Sequence, residues 1–228
     1  MIVILAAMKE ELDAVVANIE SPMVKLTPFG ELYEGTIKDK KVICAQSGVG
    51  KTVAAATTTY LIERFPVTTI LNIGTAGGLS TTLSVTDVVV ADKVSYHDLD
   101  LRAFNYPTGW NNTSFVFFSD TKLVELAKQQ ANQISSNLFV GPIVSGDQFV
   151  SERSQFEKII ETFDGVLAVD MEACAIAHVA SLYHLPFAIV RSISDIVVED
   201  DNQMSFLEYI KKAAIQSAAC VVGIVEKI

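Results

Sequence analysis

Two apolar runs in the second half of the chain each break off into charge. Val166-Leu-Ala-Val169 is followed by Asp170 and Glu172, and Phe187-Ala-Ile-Val190 by Arg191 and then Asp195. Three acids and an arginine at strand ends suit a polar, neutral or partly cationic reacting group. Further candidates stand where other apolar runs stop: Met8 and Glu11, Thr75, and Phe149 with Val150. Singly, each has a plain structural reading. Glu10 and Glu11 complement a helix dipole in a first turn. Asp170 can cap the helix that follows it. Arg191 can be a satisfied buried ion-pair partner, and Asp195 an ordinary loop acid. Together they are harder to explain by structure alone, because buried charge is costly unless paired.

The elements that must position these groups read as alternating strands and helices. Between the two charged strand ends, Met171, Cys174, Ala175, His178, Val179 and Leu182 recur at helical spacing. Strands so linked are usually parallel neighbours, which would place the charges at adjoining carboxyl ends, where open α/β sheets hold ligands. Ile2–Ala7 reads as a buried first strand, and Leu12, Val15, Val16 and Ile19 give the face of a first helix. Leu32–Ile37 and Lys41–Ser47 form a hairpin about Asp39-Lys40. Ser47-Gly-Val-Gly-Lys-Thr52 resembles a phosphate loop, but that pattern needs glycine where Ala45 stands. The dinucleotide pattern fails at Val53. A strand-to-helix turn remains, followed by a helix over Lys51–Arg64.

Thr69–Ile73 is a further strand, opening into Gly74-Thr-Ala-Gly-Gly78, which is either a flexible turn or a presenter of backbone N–H groups. Val85–Asp92 is the next strand. An irregular aromatic stretch containing Pro107, Gly109 and Trp110 then runs to Ser119 and suits an interface or a lid. Asp120–Ile134 reads as a surface helix and Leu138–Val144 as a strand. Ser154 with Glu157, and Ser205 with Glu208, fit capping boxes for two more helices, the second running to about Lys227. No linker or repeat interrupts the alternation, so one α/β domain over 1–228 is expected.

Composition limits the partners. The chain has 228 residues, half of them hydrophobic and 19% charged, which supports a sizeable core. A net charge of −10 disfavours nucleic acid and anionic membranes. No apolar segment approaches the roughly 20 residues of a membrane span, and Ile2–Ala7 is too short for a signal peptide. Cys44, Cys174 and Cys220 lie in apolar runs, which fits buried thiols in a reducing, cytoplasmic compartment. No Cys/His spacing suggests zinc.

Several motifs in register carry a resemblance over the full length: Ala6-Ala-Met-Lys-Glu-Glu11, Ser47-Gly-Val-Gly-Lys51, Asn72-Ile-Gly-Thr-Ala-Gly-Gly78, Tyr96-His-Asp98, Val144-Ser-Gly-Asp-Gln-Phe149, Val169-Asp-Met-Glu-Ala173, Arg191-Ser-Ile-Ser-Asp195 and Met204-Ser-Phe206. The chain resembles the nucleoside phosphorylase/nucleosidase superfamily, and within it the bacterial methylthioadenosine/S-adenosylhomocysteine nucleosidases. The resemblance implies a three-layer α/β/α fold with a central mixed, partly barrel-like sheet. It implies hydrolysis of the N-glycosidic bond of 5′-thio-substituted adenosines, with no metal or cofactor. Asp195 matches the acid that protonates the leaving adenine at N7. Glu11 matches the group that activates water, helped by Arg191 and Thr75, and Glu172 the group that grips the ribose hydroxyls. Met171 would lie against the ribose, Phe149 would stack on adenine, and the Val150 backbone would read its edge. Met8, Val49 and Phe206 would line the pocket, with Ala76, Gly77, Asp170 and Ser194 also in contact with substrate. A homodimer with the 95–114 region near the partner's site is implied as well.

Four departures mark this chain. Thr75 stands where serine is usual, Asp170 where glutamate is usual, Lys9 where an acid is common, and Asn105–Ser114 replaces a Tyr/Gly/Gln-containing segment. The last leaves the preferred 5′ substituent open. A phosphorylase of the same fold is a competing reading, although Glu11 would repel phosphate. A non-enzymatic nucleoside-binding module is another, although binding alone needs no proton donor. Hydride transfer is a third, weakened by the failed glycine pattern.

Overall fold

The computed structural model describes residues 1–132, 134, 136–197 and 202–228, with side chains in the last segment from Tyr209 onward. Among them, the strands are β1 (Ile2–Ala6), β2 (Glu20–Thr27), β3 (Gly30–Ile37), β4 (Lys40–Gln46), β5 (Thr69–Gly78), β6 (Val88–Tyr96), β7 (Val116–Phe118), β8 (Leu138–Ser145), β9 (Ala168–Asp170) and β10 (Phe187–Ile196). The helices are α1 (Lys9–Val16), α2 (Lys51–Arg64), α3 (Thr121–Lys128), α4 (Arg153–Thr162), α5 (Ala173–Leu182) and α6 (Asn202–Lys227).

The strands form one mixed sheet, and part of it closes on itself. The order runs β10-β6-β8-β9-β5, and β5 pairs again with β10, so five strands complete a ring. From β5 the sheet continues as an open wing through β1, β4, β3 and β2. This is the α/β fold with a partly barrel-like sheet that the resemblance implies. Helices cover both faces because most strands are apolar on both. In β1, Val3 and Leu5 point into a core shared with α2 and α5, while Ile2, Ile4 and Ala6 point into one shared with α1, α3 and α6. Such a two-sided apolar run is the mark of a strand buried on both faces.

The closure corrects one expectation. The strands flanking α5 are not parallel neighbours: β5 lies between them, antiparallel to β9 and parallel to β10. The charged ends converge because the sheet closes, not because two adjacent strands end side by side. β5 also changes partner along its length. Thr69–Ile73 pair with β1, and Gly77–Gly78 pair with β9. Between those pairings, on that side, the strand edge is released at Gly74, Thr75 and Ala76.

Several boundaries move for local reasons. Helix α4 begins two residues before the box expected at Ser154, since the Ser151 and Glu152 N–H groups donate to Gln155 Oε1, each at 3.1 Å. Helix α3 stops at Lys128, six residues short of the expected end; Gln130 turns back, its Nε2 donating to the Leu126 carbonyl at 2.7 Å. Strand β6 begins at Val88 because Asp87 accepts from the Ser84 and Asn137 N–H groups and holds a turn there. Strand β2 was not expected: it carries no alternating pattern and is exposed on both faces. The Ser205–Glu208 box lies outside the described side chains.

One buried polar network ties the ring together. Arg191 on β10 is 1% exposed; its Nε donates to Asp170 Oδ2 on β9 at 2.8 Å, and its Nη2 lies 2.7 Å from the same oxygen in an ion pair. Its Nη2 also donates to Asn72 Oδ1 on β5. Ser145 on β8 donates to Asp170 Oδ1. Removing one partner of a buried pair leaves an uncompensated charge. Asp170→Ala should therefore lose about 3–5 kcal/mol of stability. Glu157→Ala, which breaks the exposed Arg153–Glu157 pair, should lose under about 1 kcal/mol. Urea unfolding of both variants checks this, and equal midpoints would contradict it.

Candidate active site

The released edge of β5 faces a cavity of about 180 Å³. Met8, Glu11, Val49, Thr75, Ala76, Gly77, Phe149, Val150, Met171, Glu172, Ser194 and Asp195 border it. These come from six separate chain segments. Ala7, Gln148 and Val169, which the sequence reading did not single out, also line the wall. The Phe206 side chain lies outside the described side chains.

Glu11 is held from both of its oxygens. The Ala7 and Met8 N–H groups donate to Oε2, each at 3.0 Å. The Thr75 N–H and hydroxyl donate to Oε1 at 2.9 and 3.0 Å. Glu11 does stand in the first turn of α1, as expected; one of its oxygens caps that helix at Met8, and the other is tied to the released strand edge. Burial raises the Glu11 carboxyl above its ordinary value, against the Arg191 charge and the Met8 and Thr75 donors, which lower it.

The glycines of Gly74-Thr-Ala-Gly-Gly78 are neither a turn nor N–H presenters as a group. All belong to β5, and they make room. A Cβ on Gly74 would meet Glu11 Oε1 at 3.2 Å and the Arg191 guanidinium carbon at 3.4 Å. A Cβ on Gly77 would meet Val197 at 2.9 Å and Asp195 Oδ2 at 3.3 Å. Asp195 reaches the cavity through an irregularity in β10: Ile193 pairs with Ala76, yet Asp195 pairs with Gly77, so Ser194 is an extra residue. A bulge of this kind re-aims the side chain beside it. The Ser194 hydroxyl lies 2.7 Å from Asp195 Oδ1 and 3.3 Å from the Ala76 carbonyl.

Glu172 stands between β9 and α5, and the Gly50 N–H donates to its Oε1 at 2.7 Å. Burial, followed by the nearby Asp170 charge, raises its carboxyl above the ordinary value. Two expected site residues play other parts. Asp170 borders the cavity, but its carboxylate accepts from Ser145, from Arg191 Nε and from the Ala173 N–H, and is ion-paired with Arg191 Nη2. Arg191 does not border the cavity and spends its donors on Asp170, Asn72 and the Val190 carbonyl. Asn72 and Ser145 complete that network; an amide inside the apolar run Thr69–Ile73 is the sequence signal for the first. Glu10 is exposed outside the cavity.

A family model described as the phosphorylase superfamily matches residues 1–226. The chain belongs to the phosphorylase superfamily. A Staphylococcus aureus (strain JH9) protein named 5′-methylthioadenosine/S-adenosylhomocysteine nucleosidase is 39% identical over 233 residues, covering all of both chains. The structure of the nucleosidase of that name from Neisseria meningitidis, in complex with methylthio-immucillin-A, superposes with a TM-score of 0.93 at 34% identity, covering 100% of this chain and 99% of that one. An S-adenosylhomocysteine nucleosidase from Streptococcus pyogenes, in complex with 5-methylthiotubericidin, gives 0.93 at 35% identity, covering 100% and 96%. In this superfamily member Glu11, Glu172 and Asp195 thus meet at one largely apolar cavity, which Asp170 also borders.

Their concentration has a cost that can be measured. An acid raised in the folded state keeps its proton there after the unfolded chain has lost it. Stability contributed at Glu172 therefore falls as pH rises from the ordinary carboxyl value to the raised one. Glu172→Gln keeps an acceptor for the Gly50 N–H and removes that loss. It should melt within error of the parent near pH 4 and at least about 2–4 °C higher near pH 8, the shift 1 kcal/mol produces at this size. A variant that melts lower at both values would contradict the assignment.

Proposed function

We propose that this chain is a nucleosidase that hydrolyses the N-glycosidic bond of 5′-methylthioadenosine and S-adenosylhomocysteine, releasing adenine and the 5-thioribose product. 5′-Deoxyadenosine presents the same bond and is included. The observation that carries the reading is that Glu11, Glu172 and Asp195 all border one largely apolar cavity, each from a different chain segment. The similarity to nucleosidases of this name supports it.

In this reading water attacks the ribose C1′ as the bond to adenine breaks, and the bonding electrons leave with the purine. Asp195 gives a proton to adenine N7. Donation near neutrality requires a protonated carboxyl; the Ser194 hydroxyl, which lies 2.7 Å from Oδ1 as a donor, orients it toward the cavity. Glu11 takes a proton from the water, and its four donors fix the direction of its lone pairs. Arg191 acts on Glu11 through its charge from behind Gly74 and does not touch the substrate. Glu172, once ionised, accepts the ribose hydroxyls and places negative charge near the developing oxocarbenium. Phe149 offers a ring face to adenine, and the Val150 backbone reads its edge. Met8, Val49 and Met171 give apolar surface to the ribose and the 5′-thio group. No metal or cofactor is required.

A homodimer accompanies this reading, with the 95–114 region beside the partner's cavity. Exposed aromatic side chains there and nearby, Phe104, Tyr106 and Phe118, support it. Cys44, Cys174 and Cys220 are buried free thiols, which supports a cytoplasmic setting.

The test is adenine release from both thio-substrates in phosphate-free buffer. Release is expected without phosphate; strict dependence on phosphate would move the chain to the phosphorylases, and tight binding without release would leave a binding module. Asp195→Asn should fold and bind adenine yet lose about 10²–10⁴-fold in turnover, the usual worth of a general acid. An active variant would refute the role given to Asp195.

A further inference from the structure

Three motifs contain charged residues for which the proposed chemistry has no use. Lys51 closes Ser47-Gly-Val-Gly-Lys51, Asp98 closes Tyr96-His-Asp98, and Asp147 lies within Val144-Ser-Gly-Asp-Gln-Phe149. The fold brings them into one cluster at the cavity mouth. Lys51 Nζ donates to both Asp98 oxygens, at 2.7 and 2.6 Å. The Asp147 N–H donates to Asp98 Oδ2 at 3.0 Å. Asp147 Oδ1 in turn accepts the Lys51 backbone N–H at 2.8 Å. Burial alone would raise the Asp98 carboxyl, but Lys51 and the Asp147 N–H hold it below its ordinary value.

A solvated pair of this kind would contribute little. This cluster differs because the Lys51 and Asp98 side chains are only 26% and 19% exposed, and because of what it borders. Helix α2 has no capping side chain of its own: its N-cap is Gly50, at φ +95°. Asp147 supplies the missing acceptor from another loop, and its Oδ1 would lie 3.1 Å from a Cβ on Gly50. The next N–H back along the chain, that of Gly50, is the one that donates to Glu172.

We propose that Lys51, Asp98 and Asp147 are positioning residues that fix the Gly48–Gly50 loop, so that the Gly50 N–H orients the Glu172 carboxylate toward the ribose hydroxyls. The inference rests on the reading of Glu172 as the ribose ligand. One hydrogen bond from Gly50 leaves the carboxylate capacity for two hydroxyls, since it offers about four lone-pair sites. The clip joins the loop that carries Val49 to the loop that carries Gln148, Phe149 and Val150, so opening it loosens two walls of the cavity at once.

The test uses the full chain and two substrates, methylthioadenosine and its 2′,3′-dideoxy analogue. Asp98→Asn keeps shape and removes charge. It should lower kcat/KM for the parent substrate about tenfold, below the hundredfold that a 1 Å misplacement can cost. On the dideoxy analogue, and in a Glu172→Gln background, it should change kcat/KM by less than about twofold, because coupled residues are not additive. Asp147→Asn should follow the same pattern, and unchanged adenine binding would show that the purine side is intact. Equal losses on both substrates would overturn the proposal in favour of general support of the fold, as would no loss on either. A Glu172→Gln enzyme that treats the two substrates as the parent does would instead remove the ribose role itself, and the proposal with it.

Discussion

A guanidinium with 1% of its surface exposed must find acceptors in every direction, and the fold is arranged to supply them. Arg191 receives a carboxylate from β9, a side-chain amide oxygen from β5 and a carbonyl from its own strand. Asp170, in turn, is shared with Ser145 of β8 and the first N–H of α5. Four strands of a closed ring therefore have their relative heights fixed by one set of directional bonds. Hydrophobic burial cannot do this, because it is non-directional and tolerates sliding. The guanidinium charge also reaches Glu11, because both lie beside the space that Gly74 leaves open.

The cavity follows from that closure. A strand paired along both edges throughout offers no donors to a site. β5 escapes this by taking β1 as its partner early and β9 late. Thr75, in the interval, can give both its N–H and its hydroxyl to Glu11. On the other side of β5 the extra residue in β10 turns Asp195 toward the same space. Two local departures from regular pairing on one strand thus account for two of the three carboxylates. The third, Glu172, is placed by the abrupt end of β9 and by the glycine loop before α2.

Much of this was legible in the sequence, and the remainder was hidden for definite reasons. β1, β4, β8 and α2 could be read because continuous apolar runs or a proline stop define them within a few residues. The hairpin about Asp39-Lys40 was legible for the same reason. The partner order was not, because ring closure places β5 between β9 and β10 over a separation that no local pattern records. β2 escaped because both of its faces are exposed and nothing forces alternation. The residue types of the site were legible as charge at strand ends. Their division of labour was not: Arg191 and Asp170 look like site residues in a string of letters, and only the ring shows that they spend their donors and acceptors on each other. The glycines of β5 misled in the opposite direction. Glycine usually signals freedom of the backbone, whereas here it signals the bulk of neighbouring carboxylates.

The environment of Glu11 shows why such a site needs its apolar wall. Each of the four donors that orient this carboxylate also stabilises its charged form, and so weakens it as a base. The Arg191 charge acts in the same direction. Orientation and basicity therefore conflict, and a fully solvated carboxylate held this firmly would be too weak an acid-base partner for water. Burial works the other way, because a desolvated carboxylate is costly and takes up a proton more readily. Here burial is the largest influence and prevails. In the proposed reaction the wall formed by the cavity's apolar side chains is consequently part of the chemistry: it offsets the loss of basicity that precise placement of Glu11 brings.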